Sequence, residues 1–210
     1  MLTAQRPQLN FNSEGIPCSE LFGDPYYSLD NPLEESRYVF LDSANISGRW
    51  KNKQFTIAEL GFGFGINFIT TAKAWLEQEQ QQLSDQPLHY ISFEKYPVQP
   101  EDLTKCYQQL NISSALVESL VEQYPLPVVG FHRIELQQYN ISLTLIFGDA
   151  LDYLGLCDFK ADAWFLDGFS PSKNEALWSA DICKNIQRLT QPSGTLSTYC
   201  AASDVRESFS

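Results

Sequence analysis

"AELGFGFGINF", residues Ala58 to Phe68, decides how this chain folds. It follows Thr56 and Ile57, part of a short apolar run, "TIAEL", that reads as a strand. It leads into "INFITTAKAWLEQEQQQ", where Ile66, Ile69, Ala72, Ala74, Trp75 and Leu76 recur near helical spacing. A strand that turns through glycines into a helix is the opening unit of an α/β sheet, and ligands of such sheets bind at the carboxyl ends of strands. Gly61, Gly63 and Gly65 give G-x-G-x-G rather than the dinucleotide spacing G-x-G-x-x-G, and no Gly-Lys-Ser/Thr follows as in a P-loop.

Glu59 narrows the ligand further. A carboxylate beside the loop repels a pyrophosphate and favours a cation. S-adenosylmethionine fits that demand, with an ammonium, a sulfonium and no phosphate. The other acids of such a site follow in order. Glu94 ends a second strand, "LHYISFEK", where it can accept both ribose hydroxyls. Asp149 follows a third, "ISLTLIFGD", placed for an adenine edge. A lone acid after a strand is more often a helix cap, so the argument rests on the set. Asp167 ends a fourth strand, "ADAWFLDG", where a methyl acceptor belongs, with Phe169 and Pro171 as a stiff wall. By itself, without the loop upstream, Asp167 reads better as a turn residue before Gly168.

The remaining pattern is consistent with this. "PEDLTKCYQQL", "SSALVESLVEQY" and "NEALWSADICKNIQRLT" read as helices, and "GTLSTYCA" as a fifth strand before "SDVRESF", a helix capped by Ser203 or Asp204. Short strands apolar on both faces, alternating with helices, predict an α/β fold with a mostly parallel, doubly wound sheet. The last strands of such a sheet are expected to be lacking, because the chain stops within about ten residues of the fifth. Residues 1–55 are mixed and turn-rich. "PLEESRYVFLD" is a helix or a helix-to-strand passage, and "SGRWKNKQ" a polar loop.

Composition bounds the function. Hydrophobic residues make up 43% of the 210, which excludes a disordered chain. No apolar run of membrane-spanning length and no signal-peptide pattern occurs, so the chain reads as cytosolic and without a membrane partner. Five scattered cysteines without a CxxC pair read as reduced thiols, and two histidines with no Cys/His cluster predict no metal site. The net charge of −12 is awkward for a nucleic-acid binder. Two groups of cations stand against it: Arg49, Lys51 and Lys53 in one loop, and Lys173, Lys184 and Arg188 on or before one helix. They are either a local phosphate-binding patch or a solvated face.

"AELGFGFGINF", "HYISFEKYP", "FGDALDYL", "DAWFLDGFSPSKNEALW" and the N-terminal "LNFNSEGIPCSELFGDPYYSLDNPLEESRYVF" resemble one family. It is the methyltransferase domain of the bacterial bifunctional enzymes that finish 5-methylaminomethyl-2-thiouridine at the tRNA wobble position. The resemblance runs from about Leu9 to Phe209. It implies a class I, Rossmann-like methyltransferase core over 56–210, with residues 1–55 packed over the cofactor pocket. It implies S-adenosylmethionine as cofactor and the aminomethyl nitrogen of the uridine as acceptor. It implies tRNA as a partner, and FAD only in a C-terminal oxidase domain, fused or separate, that this chain does not contain.

Carried onto this sequence, the family's cofactor residues are Glu59, Gly61, Phe62, Gly63, Gly65, Asn67, Glu94, Lys95, Asp149 and Ala150, with Tyr27 and Ser28 from the N-terminal segment, near Asn31 and Glu34. Asp167 is the catalytic acid facing the acceptor amine, joined by Phe169, Pro171, Lys173 and Asn174 on the substrate side. Phe64 stands where the family has a small polar residue, and is expected to narrow the methionine pocket. Glu175 replaces a proline at a helix start, where negative charge is favoured. A methyltransferase for a small amine, which explains the acidity better, and a non-catalytic cofactor-binding domain are the alternatives.

Overall fold

A computed structural model describes residues 2–28, 30–50, 53–79, 86–169 and 173–199. The N-terminal segment opens with a small antiparallel sheet, β1 (Leu9–Phe11), β2 (Pro17–Ser19) and β3 (Asp24–Pro25). Asn12 makes its first turn by accepting the N–H groups of Glu14 and Ile16 at 3.0 and 2.9 Å. Helix α1 (Pro32–Ser36) has Pro32 in its first turn, and the Asn31 side chain accepts the Glu34 N–H at 3.3 Å. A π-helical turn, Arg37–Asp42, continues it, so "PLEESRYVFLD" is helical to its end. "SGRWKNKQ", expected as a loop, begins inside a further helical turn, α2 (Ile46–Arg49).

The core then follows: β4 (Phe55–Leu60), α3 (Ile66–Glu79), β5 (Leu88–Glu94), α4 (Pro100–Gln109), α5 (Ala115–Gln123), β6 (Gly130–Leu136), β7 (Ile141–Phe147), α6 (Ala150–Leu154), β8 (Ala161–Leu166), α7 (Ala180–Leu189) and β9 (Thr190–Thr198). The sheet order is β6-β7-β5-β4-β8-β9. Five strands run parallel and β6 pairs antiparallel with β7. From β4 the chain winds one way through β5 to β7 and the other way to β8 and β9. The switch point is therefore the carboxyl end of β4, where the glycine loop lies. All six residues of β4 are buried, as a central parallel strand requires.

Three sequence expectations change. Strand β6 was not anticipated: its inward residues Ile134 and Leu136 alternate with polar ones at a sheet edge, a weak apolar signal. The helix expected over "NEALWSADICKNIQRLT" is interrupted at Ser179, whose backbone is extended, leaving a 3₁₀ turn at Glu175–Trp178 before α7. Strand β9 begins at Thr190, upstream of Gly194, with a register shift against β8 between Ala161 and Ala163. The expected helix "SDVRESF" lies outside the described residues. Cys18, Cys106, Cys157 and Cys183 are free thiols.

Both sheet faces are covered. One face carries α6 and α7 through Ala58, Trp164, Leu154, Ile182 and Ile186. The other carries α3 to α5 and the N-terminal segment, whose Ile16, Tyr27, Phe40, Leu41, Ile46 and Trp50 share one core with Ile57, Phe68 and Phe165. Arg49 fastens this segment to the far strands. It donates to Thr195 Oγ1 at 2.7 Å, to the Asp162 carbonyl at 2.8 Å and to the Ser193 carbonyl at 3.3 Å.

Candidate active site

A cavity of about 470 Å³ opens at the carboxyl ends of β4, β5, β7 and β8. The glycine loop forms its floor. Gly61, at φ +93°, passes so close under β8's end that a Cβ there would lie 2.7 Å from the Asp167 carbonyl oxygen. The close approach that demands glycine is thus to the chain's own backbone. Gly63, at φ +52°, turns its N–H to Glu94 Oε2 at 2.8 Å, and Glu94 Oε1 accepts the Tyr96 N–H at 2.7 Å. The N–H groups of Phe62 and Lys95 are also directed at this carboxylate. Burial pushes the Glu94 carboxyl up, against the N–H groups of Gly63 and Tyr96 that hold its charge.

Glu59 does not line the cavity. It lies fully buried below the loop, accepting from Ser92 Oγ at 2.7 Å and Asn67 Nδ2 at 3.0 Å. Ser92 is its register partner on β5. Burial pushes the Glu59 carboxyl up to about 7 despite those donors. The Asn67 amide also donates to Asp167 Oδ2 at 2.6 Å. Asp167 lines the cavity, and burial, then the neighbouring Glu59 charge, raise its carboxyl well above the usual range.

The adenine-side expectation meets an ion pair. Asp149 caps α6 by accepting the Leu151 N–H at 3.0 Å and pairs with Lys95 at 2.7 Å. Burial opposes its charge, but Lys95 and the cap outweigh burial and its carboxyl is lowered. Asp149, Lys95, Ala150 and Phe62 line the cavity. From the N-terminal segment Tyr27 and Ser28 line it too, and Ser28 Oγ donates to Glu35 Oε2 at 2.5 Å. Glu35 faces the cavity, whereas Glu34 is exposed and stands away from it. Phe64 packs edge-on against Tyr26 and Tyr27, so it anchors the covering segment as well as lining the cavity.

Beyond the end of β8 Phe169 stacks on Phe22 with centroids 4.4 Å apart and meets Tyr26 edge-on. Asn174 lines the cavity. Lys173 instead pairs with Asp24 and ties the loop after β8 to β3. Pro171 lies outside the described residues. Sequence reasoning missed Ser36, Glu35, Phe22, Tyr26, Ser92 and Tyr199. Ser92 alone carried a signal, as a polar residue inside an apolar strand.

Among the described residues, the cations of both groups have partners within the chain. Arg49 clamps β8 and β9, Lys53 pairs with Asp162 at 2.9 Å, and Lys184 pairs with Asp181 at 3.6 Å. Arg188 donates to the carbonyls of Leu154 and Cys157 at 2.8 and 3.0 Å. Lys51 lies outside the described residues.

Residues 112–210 match the family described as S-adenosyl-L-methionine-dependent methyltransferase. The chain is 44% identical to the tRNA 5-methylaminomethyl-2-thiouridine biosynthesis bifunctional protein MnmC of Marinomonas sp., over 98% of this chain and 31% of that protein. It is 42% identical to the protein of the same name from Aeromonas hydrophila, over 95% of this chain and 31% of that one. The chain thus spans about a third of the curated relatives it matches. The crystal structure of MNMC2 from Aquifex aeolicus superposes with a TM-score of 0.71 at 27% identity, covering 97% of this chain and 63% of that one. The α/β, mostly parallel methyltransferase fold expected from the sequence is the fold found. Among the described residues no helix is long and apolar enough to cross a membrane.

The site fits S-adenosylmethionine on its own chemistry. The cavity volume suits a nucleoside-sized ligand. Glu94 brings a carboxylate to the cavity wall, the group that recognises a diol. Tyr27 lines the cavity while its hydroxyl is buried beside the Cys106 thiol, so the ring rather than the hydroxyl is what it offers a ligand.

Proposed function

We propose that this chain transfers a methyl group from S-adenosylmethionine to the aminomethyl nitrogen of 5-aminomethyl-2-thiouridine at the tRNA wobble position, giving 5-methylaminomethyl-2-thiouridine. Asp167 carries the reading: a carboxyl of raised proton affinity at the end of β8, inside the cavity that the glycine loop floors. The similarity to relatives named for that nucleoside's biosynthesis supports the choice of acceptor over a small free amine.

In this reading Gly61, Phe62, Gly63 and Gly65 cradle the cofactor, and Glu94 accepts from its ribose. Lys95, Asp149 and Ala150 border its base. Tyr27 and Ser28 close over it from the segment 1–55, which covers the core at 56–210. Glu59 and Asn67 act from beneath. When bound, the cofactor supplies an electrophilic methyl on a sulfonium that leaves readily. Asp167 accepts the acceptor's N–H and points its lone pair at that methyl. The nitrogen loses one proton as it gains the methyl, and Asp167 holds it. A carboxyl whose affinity burial has raised is suited to that task. Phe169, packed on Phe22 and Tyr26, and Asn174 wall the acceptor off from water. Lys173 braces the wall against Asp24. The chain works on tRNA in the cytoplasm, and a flavin-dependent oxidase domain, fused or separate, supplies the free amine.

The test is incubation with labelled S-adenosylmethionine and tRNA bearing 5-aminomethyl-2-thiouridine, with Asp167→Ala alongside. Label on the wobble uridine, lost in the variant, is expected. Label on free amines but never on tRNA would establish the small-amine reading instead.

A further inference from the structure

The covering segment touches the reaction centre at one buried point. Ser36, the last residue of α1, is 1% exposed, and its Oγ donates to Asn67 Oδ1 at 2.6 Å. Asn67 is 4% exposed and stands in the first turn of α3. Its amide nitrogen has two hydrogens, and both have acceptors: Glu59 Oε1 at 3.0 Å and Asp167 Oδ2 at 2.6 Å. The orientation of an asparagine amide is fixed only by its partners. Here a flipped amide would press its oxygen against two carboxyl groups and turn its nitrogen toward the Ser36 hydroxyl. Ser36 therefore meets the oxygen end and holds the nitrogen end toward both acids.

We propose that Ser36 is a positioning residue: by fixing the Asn67 amide it sets the proton affinity of Asp167, so that docking of α1 tunes the acid before any acceptor arrives. As a statement about methyl transfer this rests on the reading above; as a statement about Asp167 it stands alone. Among the described residues, few groups face the two acids. Asp167 is met by Glu35 from α1, Glu59 from β4, Tyr90 from β5 and Tyr199 after β9. Glu59 is met by Tyr90 and Ser92 from β5 and by Glu94 at that strand's end. Asn67 is the side chain donating to both acids. A freed amide donates to Asp167 for less of the time, the charged carboxylate loses stabilisation, and its titration moves to higher pH.

The experiment is a carboxyl ¹³C titration of the protein without ligand, with Asp167→Asn and Glu59→Gln supplying the assignments. Ser36→Ala is expected to move the Asp167 midpoint upward, and Ser36→Thr, which keeps the hydroxyl, to return it toward the parent value. Should Ser36→Ala lose its fold, Ser36→Cys keeps the volume with a weaker donor and reads the same shift. An Asp167 midpoint identical in parent and folded variant overturns the proposal, as does a folded Ser36→Thr that behaves like Ser36→Ala. In single-turnover methyl transfer Ser36→Ala should be slower by about tenfold with acceptor KM unchanged, the loss of one hydrogen bond's worth. If the parent protein methylates no tRNA while the titration shift appears, the proposed function fails and the positioning role holds.

Discussion

The Gly63 N–H donates to Glu94 Oε2 across 2.8 Å, so the glycine loop and the carboxyl end of β5 are held as one piece. A carboxylate that accepts two backbone N–H groups cannot be exchanged for an amide without turning an N–H₂ toward one of them. Glu94→Gln should therefore weaken S-adenosylhomocysteine binding, measured calorimetrically, and cost the ligand-free protein about 1–3 kcal/mol in denaturant unfolding. An unchanged unfolding midpoint would show that the loop is held by other means.

Glu59 makes stability depend on pH. Its carboxyl titrates near 7 in the folded chain against an ordinary 4.5, so between those values the folded state keeps a proton that the unfolded state has released. Stability from this group is full below about 4.5 and is lost as pH rises through about 7, a loss on the order of 3 kcal/mol. Glu59→Gln should gain on the parent by that amount between pH 4 and pH 8, whatever constant offset the amide brings. Parallel stability curves for the two proteins would contradict this.

Asp167 should show itself in rate rather than in binding. Asp167→Asn keeps the shape and the Asn67 contact region but takes no proton. A fall of about 10²–10⁴-fold in single-turnover transfer is expected, with cofactor affinity retained. In the parent the rate should rise with pH as the raised Asp167 carboxyl ionises, and that limb should vanish in the variant.

The cations bear on tRNA. Arg49, Lys53, Lys173, Lys184 and Arg188 all have partners within the chain. This chain alone should bind tRNA with a shallow salt dependence, equivalent to only about two or three phosphates. Lys184→Ala should leave the affinity unchanged. A steep slope in filter binding would point to a basic surface elsewhere.

Phe64 is 3% exposed and wedged against Tyr26 and Tyr27. Phe64→Ala should cost about 3–5 kcal/mol and speed proteolytic cleavage within the first 55 residues. Protection equal to the parent's would show the segment is fastened without it.

Fold and site differed in how far the sequence revealed them. The strand, glycine turn and helix at 56–79 carry strong periodic signals, and four of the five parallel strands lie where apolar runs placed them, β9 starting earlier than its run. An edge strand such as β6 needs only one apolar face, and its Arg133 and Glu135 hide the pattern. Glu94, Asp149 and Asp167 were legible at the cavity because each ends or follows a strand, but direction was not. Whether Glu59 points at a ligand or at Ser92 depends on register across β4 and β5, and no local pattern encodes that. Ser36 was invisible because its partner is 31 residues away and its own surroundings look like any helix end.

The Arg49 clamp has a bearing on how the chain is made. Its partner Thr195 lies 146 residues downstream. Phe40, which precedes the main sheet in the chain, is buried against Phe165 of β8 and Tyr199 after β9, neither of which yet exists when it emerges. Closing so long a loop is slow, and apolar surface waits uncovered meanwhile. This segment settles only after the strands that follow it, and any chain halted before β8 would present Phe40 to the cell's chaperones.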